Sequence, residues 1–231
     1  MKIKSNLKDS CFIFLVCILM ISFAIIIYQN CINNVFEKEL KKQRYEGIEE
    51  IRYRNESIVK VLEGCITSNK ITNEELVILY KNYSEIANEE IELWQAYLDN
   101  KNRLNIFSKN KNNNIEVDYI SEIYWDIEQL IYNYLKDDLR ENISGMQLSG
   151  PSLADFSNLL YLAKDLNNYF VIHYDDNYSG LEEEEKMEKM MRNNNWISIL
   201  NGIQGVSKKY IDYPFIYESE SKDSTSSTVT E

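Results

Sequence analysis

The chain has 231 residues and a formal net charge of −12. Residues 1–31 carry +2, from three lysines and Asp9, so −14 falls on the remainder. This acidity argues against nucleic acid, which needs a basic footprint, and against clinging to anionic headgroups. Two prolines and seven glycines favour long helices over a sheet with many turns. The remainder is long enough for one domain with a sizeable core. Asn, Lys, Ile and Tyr are abundant, as in chains encoded by AT-rich genomes. The Asn runs at Asn112–Asn114 and Asn193–Asn195, and the sequons at Asn55, Asn82, Asn142 and Asn177, follow from that bias and are given no functional weight.

The first element is an uncharged, proline-free run of 18 residues, Cys11 to Tyr28. As a helix it reaches roughly 27 Å, close to the hydrocarbon thickness of a bilayer. Three readings compete. A retained transmembrane helix doubling as an export signal is the expected one. A cleaved signal peptide is the second, with Lys2, Lys4 and Lys8 as its positive region and Ser22-Phe23-Ala24 as a cleavage site. Cleavage there strands Ile25-Ile26-Ile27-Tyr28 at a new N-terminus. A buried core helix is the third, but such helices usually show a polar stripe, and only Ser22 interrupts this run. Neither Cys17 nor Cys31 follows the small residue that lipidation needs. The type IV pilin pattern requires a glycine before the run and a glutamate inside it; here Asp9-Ser10 precedes the run and no acid lies within.

Orientation rests on flanking cations. Lys2, Lys4, Lys8 and the α-amine nearly balance Lys38, Lys41, Lys42 and Arg44. The N-terminal set lies closer to the apolar core, so the expectation is residues 1–10 cytoplasmic, 11–30 a signal-anchor in the cell membrane, and 31–212 an extracytoplasmic bundle. Residues 213–231 are an acidic, Ser/Thr-rich tail expected to be disordered. Four cysteines and no C-x-x-C exclude zinc-ribbon or thioredoxin chemistry. On one straight helix Cys31 and Cys65 would be about 50 Å apart, beyond disulfide reach.

The helix is expected to continue from Asn30 to Gly64. Ile48, Ile51, Asn55, Ile58, Leu62 and Cys65 recur at steps of 3, 4, 3, 4 and 3. Two readings stand: a parallel homodimer seam with Asn55 setting register, or one core-facing helix of an intrachain bundle. A second helix opens on a capping box, Thr72 to Glu75, and fades near Asn100 or Phe107. A polar loop, Ser108 to Asn114, follows. The third helix spans about Ile115 to Asn142, the fourth runs from a cap at Ser152 to about Tyr174, and Asp175 to Gly180 forms a turn. The fifth starts near Leu181 behind Glu182–Glu185, with Gly202 and Gly205 weakening its end. The fold class is therefore all-α: an N-terminal transmembrane helix continuing into an up-down bundle of about four to five helices.

Candidate chemistry is sparse. His173, the only histidine, lacks the small and basic neighbours of a phosphotransfer site. No Glu-x-x-His supports a di-iron bundle, and Asp175-Asp176-Asn177 does not continue into an EF-hand loop. Gly202 to Lys209 lacks the spacing of a phosphate loop. Trp94, Trp125 and Trp196 fit a ligand pocket or a partner surface, but aromatics at helical spacing are more often core, which is the expected reading. No catalytic, cofactor or metal residue is assigned. The expectation is a non-catalytic interaction module held by membrane lipid around residues 11–28, with an unidentified protein partner. The alternatives are a ligand-sensing module with a partner membrane protein and an exported hydrolase.

Overall fold

The computed structural model describes residues 3–105, 120–215 and 217. It divides into two compact units, residues 1–43 and 44–231. Its class is all-α, as the spacing predicts, with one addition that local pattern does not reveal.

Helix α1 spans Ile3–Ser68, and no glycine or proline precedes Gly47 in the chain. In the first unit the apolar side chains from Phe12 to Tyr28 are exposed on every side of the helix. Among the described residues this is the one helix long and apolar enough to cross a membrane. Past Tyr28 the surface turns polar, and Lys41 pairs with Glu37 at 2.8 Å.

In the second unit α1 changes character. Tyr45, Ile48, Ile51, Asn55, Ile58, Leu62 and Cys65 are all buried in the chain's own core. The stripe thus belongs to an intrachain bundle, not to a seam open to a second copy. Asn55 is 2 % exposed, and its amide donates to the Ala163 carbonyl at 2.9 Å. A buried amide left unpaired costs about 1–3 kcal/mol, so this bond fixes the register between the two helices.

Strand β1 (Lys70–Thr72) follows α1, then α2 (Asn73–Asn105), α3 (Ile120–Arg140) and β2 (Gly145–Gln147). The expected polar loop 108–114 and the start of the third helix at Ile115 lie outside the described residues. The capping box forms: the Glu75 amide donates to Thr72 Oγ1 at 3.2 Å and the Thr72 amide to Glu75 Oε2 at 2.8 Å. Helices α2 and α3 pack on each other, and β1 pairs antiparallel with β2, Ile71 opposite Met146. Ile71 is fully buried. Gly145 has φ +143°, and a Cβ there would collide with the Ile71 carbonyl and Thr72 Cα. Glycine is what lets the two backbones approach.

Helix α4 spans Gly150–Phe170. Its cap lies at Ser149, one turn before the expected Ser152. Ser152 reaches back, accepting from the Ser149 amide at 3.1 Å. Pro151 sits in the first turn, where a missing N–H costs nothing. The helical course does not turn at Asp175. It passes through a π turn, Val171–Asp175, into α5 (Asp176–Tyr178).

The single fifth helix expected from Leu181 is broken in two. Helix α6 (Glu183–Met191) and helix α7 (Asn195–Ser207) are separated by Asn193 and Asn194, both left-handed at φ 55° and 59°. Asparagine bears that conformation more readily than most residues, so an Asn run read as compositional makes the kink. Gly202 does not weaken α7. The Tyr169 ring occupies the space its Cβ would need, and the helix continues to Ser207. Finally, Tyr213, Phe215 and Tyr217, placed by sequence in the disordered tail, pack against the core. The rest of that expected tail, residue 216 and residues 218–231, lies outside the described residues.

Candidate functional site

Thirty-seven acidic residues exceed twenty-five lysines and arginines. Tyrosines add donors to the carboxylates, at Glu49, Asp165 and Glu183 beside the cations Arg52, Lys209 and Lys186. Tyr134 Oη donates to Asp155 at 2.7 Å, Tyr213 Oη to the same carboxylate at 2.6 Å, and Tyr210 Oη to Asp165 at 3.1 Å. Tyr45 pairs likewise with Glu183, Tyr174 with Glu49, and Tyr217 with Asp137. Each bond joins elements distant in sequence. Burial first, then the neighbouring carboxylate, pushes the Tyr210, Tyr213 and Tyr217 phenols up to about 12. At neutral pH all three are therefore donors.

One cleft opens beside this network. It has a volume of about 250 Å³ and is lined by Asp137 and Asp138 of α3, Glu141 just after it, Met146 of β2, Ser152 of α4, and Tyr217. Its acids fall in the last turn of α3 and just beyond, where the helix dipole disfavours negative charge. Asp138 is 5 % exposed, and its Oδ2 has no hydrogen-bond partner among the described residues. Burial raises its pKa, and the nearby Glu141 and Asp137 raise it further. Sequence reading passed over these acids. The available signal is three carboxylates at i, i+1 and i+4 around a helix C-terminus, interleaved with Lys136 and Arg140.

A second acid lies deep in the core. Glu90 of α2 is 1 % exposed, and neither carboxylate oxygen has a partner among the described residues. Burial alone pushes its pKa well up. The Tyr83 hydroxyl and Trp94 Nε1 are also buried and have no partner among the described residues, while Tyr124 and Ser207 satisfy each other at 2.9 Å.

The residues singled out by sequence are dispersed. His173 is exposed on the π turn against the Tyr169 ring, 4.9 Å between centroids. Gly202 to Lys209 is helical through α7 and the turn after it, not a phosphate loop. Asp175 to Asn177 is helical as well. Glu183 opens α6, pairing with Lys186 at 3.0 Å besides accepting from Tyr45. Trp94 and Trp196 are buried, and Arg44 lies over the Trp196 ring at 5.0 Å. Trp125 is exposed. Among the described residues no group of three His, Cys, Asp or Glu side chains is placed to hold a metal ion.

Fold and site together define an all-α protein with an exposed apolar N-terminal helix and an acidic cleft. Comparison with protein-family models, with curated proteins and with solved structures returns no match for this chain.

Proposed function

We propose that this chain is a single-pass membrane protein. Residues 11–30 anchor it, residues 1–10 face the cytoplasm, and the bundle works outside the membrane as a non-catalytic binding module. The observation that carries the reading is the exposed apolar surface from Phe12 to Tyr28. About 0.8 kcal/mol is at stake for each CH₂ kept in water, and a bilayer removes that cost over the whole run. Binding is supported by what the bundle does with its polar groups. Tyrosine–carboxylate bonds tie its helices together, while the Asp138 cleft stays open. Trp125, Tyr132 and Leu139, seven residues apart on α3, are exposed, and aromatic residues of this kind are enriched in contact surfaces. The anchor raises the local concentration of the module at the membrane.

Cys65 is unsuitable as a topology probe: it is fully buried, and burial and Glu75 push its thiol up to about 12. Lys60 is exposed. A Lys60→Cys variant in intact cells should gain labelling by a membrane-impermeant maleimide over the parent chain, and both should stay in the pellet after carbonate extraction. Labelling that appears only after lysis overturns the orientation. Release by carbonate overturns the anchor.

A further inference from the structure

We propose that Glu90 is a proton-operated latch inside the bundle. While it holds its proton, the layer where α2, α3 and α7 meet stays closed. When the proton leaves, that layer opens to water and the other end of the α2–α3 pair stays shut. Such a latch goes beyond the binding-module reading and does not depend on it.

The surroundings of Glu90 come first. On its own helix the residues three and four positions away are Ile86, Ala87, Leu93 and Trp94, and all four are buried. Neither carboxyl oxygen has a hydrogen-bond partner among the described residues. From α3, Tyr124 is close enough for the Glu90 charge to push its phenol up. From α7, the neutral Ser207 meets Tyr124. Helix α1 packs alongside, where a Cβ on Gly47 would touch Glu89 and Leu93. The charges of that side act on other groups. Glu46 and Glu50 of α1, with Glu85 and Glu92 of α2, bear on the partly buried Glu89, and Arg44 lies over Trp196 of α7. Burial alone acts on Glu90.

The donor count comes second. Ser207 gives its one hydrogen to the Ile203 carbonyl at 3.1 Å. Tyr124 is therefore the donor to Ser207 at 2.9 Å, and it has no proton left for a carboxylate. A neutral carboxyl tolerates this setting. An isolated carboxylate does not, because burying a charge without donors costs far more than burying a neutral polar group. Water supplies those donors once the layer parts.

A contrast along the α2–α3 pair comes third. Near β1 and β2, bonds cross between elements: the β1–β2 ladder, Asn73 Nδ2 to the Ile143 carbonyl at 2.7 Å, and Tyr134 to Asp155 at 2.7 Å. Toward the other end, Tyr83 Oη, both Glu90 oxygens and Trp94 Nε1 stand on one stripe of α2, buried and without partners among the described residues. Each unmet buried group costs stability. Ionisation of Glu90 thus falls on a layer already poor in hydrogen bonds, and local opening relieves it without unfolding the rest.

The experiment is hydrogen exchange on the full chain in nanodiscs from about pH 4.5 to about pH 9, each rate divided by the intrinsic rate of its amide at that pH. An opened layer returns Glu90 to its ordinary 4.5. Opening at Leu93 of α2, Ile127 of α3 and Ile203 of α7 should then rise about tenfold per pH unit above that value and level off at the folded pKa. Low urea should leave this opening unchanged, because little surface is exposed, and should speed exchange at Leu76 of α2 and Leu159 of α4. Glu90→Gln keeps the shape and cannot ionise, so the layer's pH profile should be flat; Glu90→Met gives the same test where Gln does not fold. Glu89→Gln should keep the wild-type slope. A flat wild-type profile, a slope that persists in Glu90→Gln or Glu90→Met, or loss of the slope in Glu89→Gln overturns the latch. So does equal urea dependence at Leu93 and Leu159, which marks unfolding of the whole bundle.

Discussion

Helix α1 carries two apolar stretches with similar residues and opposite surroundings. From Phe12 to Tyr28 the side chains are apolar all round the helix and exposed. From Ile48 to Cys65 the apolar positions form a narrow stripe, and that stripe is buried. The difference lies in what stands between the apolar positions: no charged residue from Phe12 to Tyr28, but seven, from Glu49 to Glu63, within the second stretch. A stripe leaves polar faces for water and needs a protein partner for only one side. A fully apolar circumference has no such face, and a bilayer is the solvent that suits it.

The strongest way to break that comparison is a matched pair of truncations. Ile51→Ala should destabilise the bundle by about 2–5 kcal/mol, the usual cost of a core cavity, while Ile21→Ala should leave its thermal midpoint in nanodiscs unmoved. Equal shifts would mean that the two stretches do not differ as described. Next in size is Glu90→Met, which replaces an unpartnered buried carboxyl with an apolar side chain of similar length. It should stabilise the bundle by about 1–3 kcal/mol at pH 8. The pH dependence has a definite sign. Burial raises the folded pKa above the ordinary 4.5, so this group's contribution is full below that value and is lost as pH rises through the folded pKa. The gap between variant and wild type in denaturant unfolding should therefore widen from pH 4 to pH 8; a constant gap would mean that Glu90 does not titrate as a buried acid.

Asn55→Ala sharpens the comparison from the polar side. It removes the amide that meets Ala163 and should cost about 1–3 kcal/mol; an unchanged urea midpoint would show that apolar packing alone sets the register. The smallest effect belongs to Tyr213→Phe, about 0.5–1.5 kcal/mol, because Tyr134 still holds Asp155. The bonds of Tyr210, Tyr213 and Tyr217 should also fail together at high pH. Their folded pKa of about 12 exceeds the ordinary 10, so their stabilisation is complete below pH 10 and disappears as pH rises through 12. Unfolding followed by tyrosinate absorbance should show that loss.

What the sequence reveals here is what short-range pattern can encode. The stripe on α1 and the Thr72–Glu75 capping box depend on residues within a turn or two, and both appear as predicted. The β1–β2 pair does not, because three residues at Lys70 and three at Gly145 carry no alternation until the fold brings them together. Asn193 and Asn194 look like compositional excess until their left-handed backbone is seen. Gly202 looks like a helix breaker until Tyr169 fills its missing side chain. The cleft was hidden for a related reason. Asp137, Asp138 and Glu141 resemble a solvated helix end in one dimension, and only β2, α4 and Tyr217 turn them into a concave surface.

The tyrosine–carboxylate bonds have a consequence for ionic strength. An ion pair between exposed side chains is weakened by added electrolyte, because both partners are charged and mobile ions screen them. A neutral phenol offers no such charge, so its bond to a carboxylate is far less sensitive. The excess negative charge on the chain repels itself, and that repulsion is screened. Salt should therefore tighten this bundle rather than loosen it.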